Sequence, residues 1–233
     1  MRPNLKRAKL ATIFLYIIAG SSFLFSINHL LNIYLSSQFE NGSEVSIEFF
    51  DTVSMFQISS IILYLITYVL CIIFFILWFT RAYRNIQVLR PKSKFAYPAW
   101  TAALVWFIPI WNIIGPYTIA TNLFNKTEDY LISEDKMLRN PSYDTVKGIW
   151  WALWILSSIF VRTGSYYAGR DILSISANAG AFVGFVLSIG CALVAVQMIK
   201  NYGKMEVLMN ELHANNQSIS TRFRDNDLLD SGI

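Results

Sequence analysis

Apolar residues in this chain gather into long unbroken runs, and polar residues are confined to the stretches between them. A water-soluble helix would instead space its apolar residues along one face. Four runs reach the roughly 20 residues that cross a hydrocarbon core of about 30 Å: residues 10–35, 56–80, 148–168 and 172–199. The alternating pattern of a barrel strand is absent, and a lone segment in lipid must satisfy its own backbone groups, so each run is expected to be a helix. The pattern predicts an all-α integral membrane protein with a basic cytoplasmic N-terminus at 1–9 and one membrane domain at 10–199. Met198, Tyr202, Met205, Met209 and Leu212 recur at steps of four and three, which predicts a cytoplasmic helical extension over 200–214. The polar residues from 215 to 233 read as a disordered tail.

A fifth stretch, 98–131, is apolar at first but is interrupted by Pro109 and Pro116. The distribution of basic residues decides whether it spans, because a span here would reverse the side of everything after it. Without it, Arg162 and Arg170 alone among the 19 lysines and arginines face outward. With it, the 124–147 loop and the whole tail move outside and most of the asymmetry disappears. The reading is therefore four spans, both termini cytoplasmic, with 98–131 a Pro-broken re-entrant or interfacial segment. A short helix should end at Pro109 and a second begin around Pro116. That second helix carries Ile119, Ala120, Leu123, Phe124 and Leu131 on one side and Asn122, Asn125, Lys126 and Asp129 on the other, as a helix lying along the inner surface would.

Composition agrees, with 55% hydrophobic and 15% charged residues. The first apolar run is too long for a cleaved signal peptide and reads as an uncleaved signal-anchor helix. Cys71 and Cys191 each sit inside an apolar run, so both are expected to be reduced packing residues. The net charge of +4 does not point to nucleic acid, because the basic residues cluster at the ends of the runs. Residues 36–55 form an anionic outer connector, and Gly169, Arg170 and Asp171 make a tight turn between the last two spans. Trp78, Trp150, Trp151 and Trp154 toward the inner side, and Tyr34, Tyr166 and Tyr167 toward the outer, are expected at the membrane interfaces. Ser176, Gly180, Gly184, Ser188 and Ala192 recur every four residues, a stripe without bulk that permits close helix packing, either against the helix from Gly148 or at an oligomer seam.

The most distinctive stretch runs from Trp78 through Arg81-Ala82-Tyr83-Arg84-Asn85 to Pro98, Trp100, Trp106-Phe107-Ile108-Pro109-Ile110, Asn112, Pro116 and Tyr117. In these residues the chain resembles the bacterial domain-of-unknown-function family 4328, whose members join an RAYRN-like helix end to a W-F-I-P-I-x-N segment and a Pro-Tyr pair. The resemblance implies a bacterial integral membrane protein, here of the cytoplasmic membrane, and supplies no activity, substrate or cofactor. A non-helical break at membrane depth must be buried in protein or face water. Asn112 is placed to satisfy backbone freed at Pro109, with Arg81 or Arg84 donating to the same carbonyls or to lipid phosphates. These residues are then either a structural clasp or, with Tyr83, Asn85, Lys92, Lys94, Trp106 and Tyr117, an anion or lipid headgroup site at the inner interface.

The chain lacks the signatures of chemistry. His29, near the outer end of the first span, reads as an interface polar residue, and His213 stands alone in the tail, without metal-ligand spacing. No serine has a partner in a nucleophile motif, and no cofactor or metal is expected. No Asp or Glu falls within a span, and Arg162 is the strongly charged residue inside one, a possible gate or an outward-snorkelling side chain. The sequence points to a non-catalytic membrane module or accessory subunit that binds a partner protein or anionic lipid at its cytoplasmic face. A homo-oligomeric channel or transporter for small ions or anionic solutes is the other reading.

Overall fold

The computed structural model describes residues 1–230, with side chains through 216 and at 218. The protein is all-helical at 83% helix. The elements are α1 (Leu5–Glu40), α2 (Ile47–Leu89), α3 (Thr101–Leu104), α4 (Pro109–Ser133), α5 (Ser142–Arg170) and α6 (Ile175–Asp230). Three of them, α1, α2 and α6, are long and apolar enough to cross a membrane. Their continuous apolar surface cannot be shed from water by one face, and much of it is exposed: Ile58, Ile62, Leu65, Ile66 and Val69 on α2 are each more than half accessible.

Helices extend beyond the apolar runs. The connector between the first two helices shrinks to residues 41–46, because α1 continues to Glu40 and α2 starts at Ile47. Gly42, at φ +66°, reverses the chain there without the penalty a Cβ would bring. Ser46 then caps α2 by accepting from the Phe49 N–H at 3.2 Å. At the far end of the chain α6 runs through Asp230, so the segment from Asn215 that reads as a tail continues the helix, and residues 231–233 lie outside the described residues.

Packing places α1 between α2 and α6, and α6 between α1 and α5. The α5–α6 contact is the closest. A Cβ on Gly164 would sit 2.3 Å from the Ala181 nitrogen, and one on Gly184 would sit 2.5 Å from the Val161 nitrogen. The stripe without bulk therefore faces α5 of the same chain at Gly180 and Gly184, with Ala192 buried, Ser188 half-buried and bonded to the Gly184 carbonyl, and Ser176 exposed.

The Pro-broken segment packs against α2, α5 and α6 at the end of the bundle where α2 finishes. α4 starts at Pro109 itself, with proline in the first turn, and Pro116 lies inside the helix. The expected restart at Pro116 is thus corrected: an N1 proline is pre-set for helix, and one interior proline is tolerated where its neighbour Gly115 abuts Val105. Ile119, Ala120, Leu123, Phe124 and Leu131 are all fully buried, as their spacing requires.

Candidate functional site

The start of α1, the end of α2, α4 and the stretch of α6 around Tyr202 share one core. Trp78, Tyr83 and Tyr202 are fully buried in it, and the rings of Trp78 and Tyr202 and of Phe124 and Tyr202 are 6.0 and 5.8 Å apart. Around Trp106, the rings of Phe75, Phe79, Trp150 and Trp154 lie within 6.2 Å, filling the gap between α2 and α5. Trp78 and Trp150 are therefore core residues and not interface anchors; a tryptophan this buried trades lipid contact for stacking. Tyr34, Tyr166 and Tyr167, by contrast, are exposed.

Most hydrogen bonds of the distinctive stretch's side chains go to backbone. The Tyr83 hydroxyl donates to the Tyr97 carbonyl at 2.9 Å and Gln87 donates to the same oxygen at 2.8 Å, which fixes the approach to Pro98. Asn85 accepts from the Arg2 N–H and donates to the Arg2 carbonyl and to Glu206, so it pins the chain start between α2 and α6. Asn112, expected to satisfy backbone at the break, leaves its carbonyl oxygen buried and unpaired. Trp151 serves the segment instead, donating to the Ile113 carbonyl at 2.8 Å and lying against Tyr117. Trp100, Phe107, Ile110, Ile113 and Ile114 remain more than half exposed, an apolar surface suited to lipid.

The cations divide. Arg84, Lys92 and Lys94 are exposed and Arg81 half-exposed. Arg81 lies in the electrostatic field of Arg7, Arg2 and Arg84, while Lys92 and Lys94 are not part of that group. Arg7, from α1, donates to the Leu77 carbonyl at 3.0 Å. Sequence reasoning placed Arg81 and Arg84 here but missed Arg2 and Arg7, since nothing in one dimension sets the first turn of α1 beside the last turns of α2. Arg162 is exposed on α5 and makes no ion pair among the described residues.

Two further polar clusters escaped the sequence. Between α4 and α5, Lys147 is almost fully buried, donating to Asn125 at 2.9 Å and to Asp144 at 2.8 Å, with the Phe124 ring beneath it. Nearby, buried Glu128 accepts from the Asn140 N–H and pairs with Arg139, which also bonds Asp129. Arg139 and Asp129 line a polar cavity of about 290 Å³ with Thr121, Asn122, Asn125 and Lys126. Toward the C-terminal half of α1, Ser21, Ser22, Ser26, Asn28, His29, Asn32 and Ser36 are buried. His29 bonds Asn178 at 2.9 Å, Asn32 reaches the same oxygen at 3.3 Å, and Ser21 meets Thr67 at 2.8 Å. His29 is thus an interhelical group, not an interface residue, because α6 supplies its partner. The Asn28 amide finds no partner among the described residues.

A family model described as a domain of unknown function (DUF4328) matches residues 42–204. That range holds α2 through the N-terminal part of α6 and leaves α1 outside it. No curated protein and no solved structure matches the chain.

Proposed function

The chain belongs to the DUF4328 family, and from that premise we propose a non-catalytic membrane module or accessory subunit that engages a partner protein or lipid at its cytoplasmic face. One observation carries the reading: the family's motif residues Trp78, Tyr83, Asn85 and Trp106 are spent on a buried framework, while the charged residues beside them, Arg81 and Arg84, are left open to a partner. A catalytic motif would expose its reacting groups.

In this proposal the bundle has four spans, in a bacterial cytoplasmic membrane with both termini inside. α5 is less apolar than the other three, yet its 29 residues give about 43 Å at 1.5 Å per residue. It returns to α6 after a short turn and lies backbone to backbone against it at Gly164 and Gly184, which supports a shared depth in the bilayer. Exposed Arg162 would then snorkel to the outer surface. The test is affinity capture of the tagged chain from its native membrane in mild detergent, with mass spectrometry of the intact complex. A stoichiometric partner or tightly held lipid is expected.

A homo-oligomeric channel or transporter is the second reading, supported by the buried polar stripe on α1, since polar groups inside a membrane bundle are costly and commonly functional. Capture of a bare homo-oligomer, together with ion flux in proteoliposomes that changes in Arg162→Ala, would replace the first reading by this one.

A further inference from the structure

We infer that Arg2, Arg7, Arg81 and Arg84 together hold the phosphate of an anionic phospholipid at the inner membrane surface, an assignment that rests on the cytoplasmic-face reading above and names its ligand. Four guanidinium groups gathered at one helix crossing repel one another, and the charges of Arg7, Arg2 and Arg84 all bear on Arg81. Among the described residues none of the four has a carboxylate partner. Glu206, which accepts from Asn85 beside them, is buried and turned to that amide. Such a cluster is stabilised by an anion that accepts several N–H donors at once, and phosphate matches the guanidinium fork.

The cluster is also built and not merely adjacent. Both backbone groups of Arg2 are tied to Asn85, one residue from Arg84, and Arg7 is anchored on the Leu77 carbonyl. A diffuse positive-inside charge needs no such ties.

The surface below the arginines favours a lipid over a free phosphate. Leu77 and Ile73 lie one and two turns before Arg81 on the same stripe of α2, and both are more than 40% exposed. Leu10, one turn from Arg7 on α1, is exposed as well. An acyl chain can follow this apolar track while its phosphate sits among the arginines.

Native mass spectrometry of the delipidated full chain, titrated with phosphatidylglycerol or phosphatidylcholine, tests the assignment. Phosphatidylglycerol should be retained over phosphatidylcholine. The double variant Arg81→Gln/Arg84→Gln should weaken that retention by roughly tenfold or more, given about 1 kcal/mol per basic residue near an anionic surface. Arg81→Lys/Arg84→Lys should fall between, because charge survives and the fork does not. Lys92→Gln/Lys94→Gln should bind as the parent does, and millimolar inorganic phosphate should not displace the lipid. An equal loss in the lysine variant would reduce the site to general charge, and displacement by phosphate would make it a soluble-anion site; either overturns the assignment. All variants are compared at matched thermal stability; the substituted side chains lie outside the core, so a variant that fails to fold would itself contradict the geometry. If lipid retention ignores the arginines while a protein partner still co-purifies, the lipid assignment falls and the module reading stands. If neither lipid nor partner is held, both fall.

Discussion

Tyr83 shows how one residue of the distinctive stretch can be read two ways. By sequence it belongs to a structural clasp, the favoured reading, or to an anion site. In the fold its ring is fully buried and its hydroxyl ends on the Tyr97 carbonyl, so it can reach no ligand. Removing only the hydroxyl, in Tyr83→Phe, should cost about 1 kcal/mol, the net worth of one hydrogen bond, since Gln87 still serves that carbonyl. Tyr83→Ala should cost about 3–5 kcal/mol through the cavity left by a large ring. Thermal unfolding in mild detergent, followed by tryptophan fluorescence, measures both; equal losses would mean that the hydroxyl, not the packing, is what matters. Arg84, on the same helical turn, is exposed, and the difference comes from which side of α2 meets α1, α3 and α4.

At the level of elements, the small-residue repeat of the last span foretold a close approach, and of its two candidate partners, the helix from Gly148 or an oligomer seam, the fold supplies the first. Gly184 meets the Phe160–Val161 backbone, and Gly164 on α5 meets Ala181 in return, a reciprocal contact that fixes the hairpin. Gly164→Ala and Gly184→Ala should each lose about 1–3 kcal/mol, because a methyl group would press on backbone that cannot yield. Gly203→Ala on the same α6 faces open space and should be neutral or stabilising by up to about 1 kcal/mol, as alanine is the better helix former. Melting temperatures in detergent check the contrast, and a loss at Gly203 as large as at Gly184 would assign the effect to something other than the α5 contact. The apolar face of α4 was legible because its burial follows helical periodicity. Thr127 and Glu128, buried on the same helix, were not, since the groups that bury Glu128 come from Arg139 and Asn140.

For the whole molecule, the proposed four-span topology makes a directional prediction. Cys71 is half-buried and Cys191 buried, which leaves a low background for labelling. In intact cells, an impermeant maleimide should label Ser43→Cys and Asp171→Cys, both on exposed turns, and should label Lys136→Cys only after the membrane is opened. Labelling of Asp171→Cys from the same side as Lys136→Cys would remove α5 from the membrane-crossing set. α1 belongs to the same scale: it lies outside the family match, yet it is packed between α2 and α6 and supplies Arg7 to the arginine group, with Arg2 just before it.

The sequence by itself determined the solvent. Runs of apolar residues as long as a bilayer is thick leave backbone groups no partner except their own helix, so an all-helical membrane protein follows from composition and order alone. It also determined the buried side of α4, because periodicity is a local property. Only the tertiary structure decided which polar residues meet. His29 with Asn178, Lys147 with Asn125, Asn85 with Arg2, and Arg7 beside Arg81 are pairings between helices brought together by packing. A single polar residue in an apolar run has the same local pattern whether it faces lipid, a neighbouring helix or a ligand, and the rotation of each helix in the bundle selects among them.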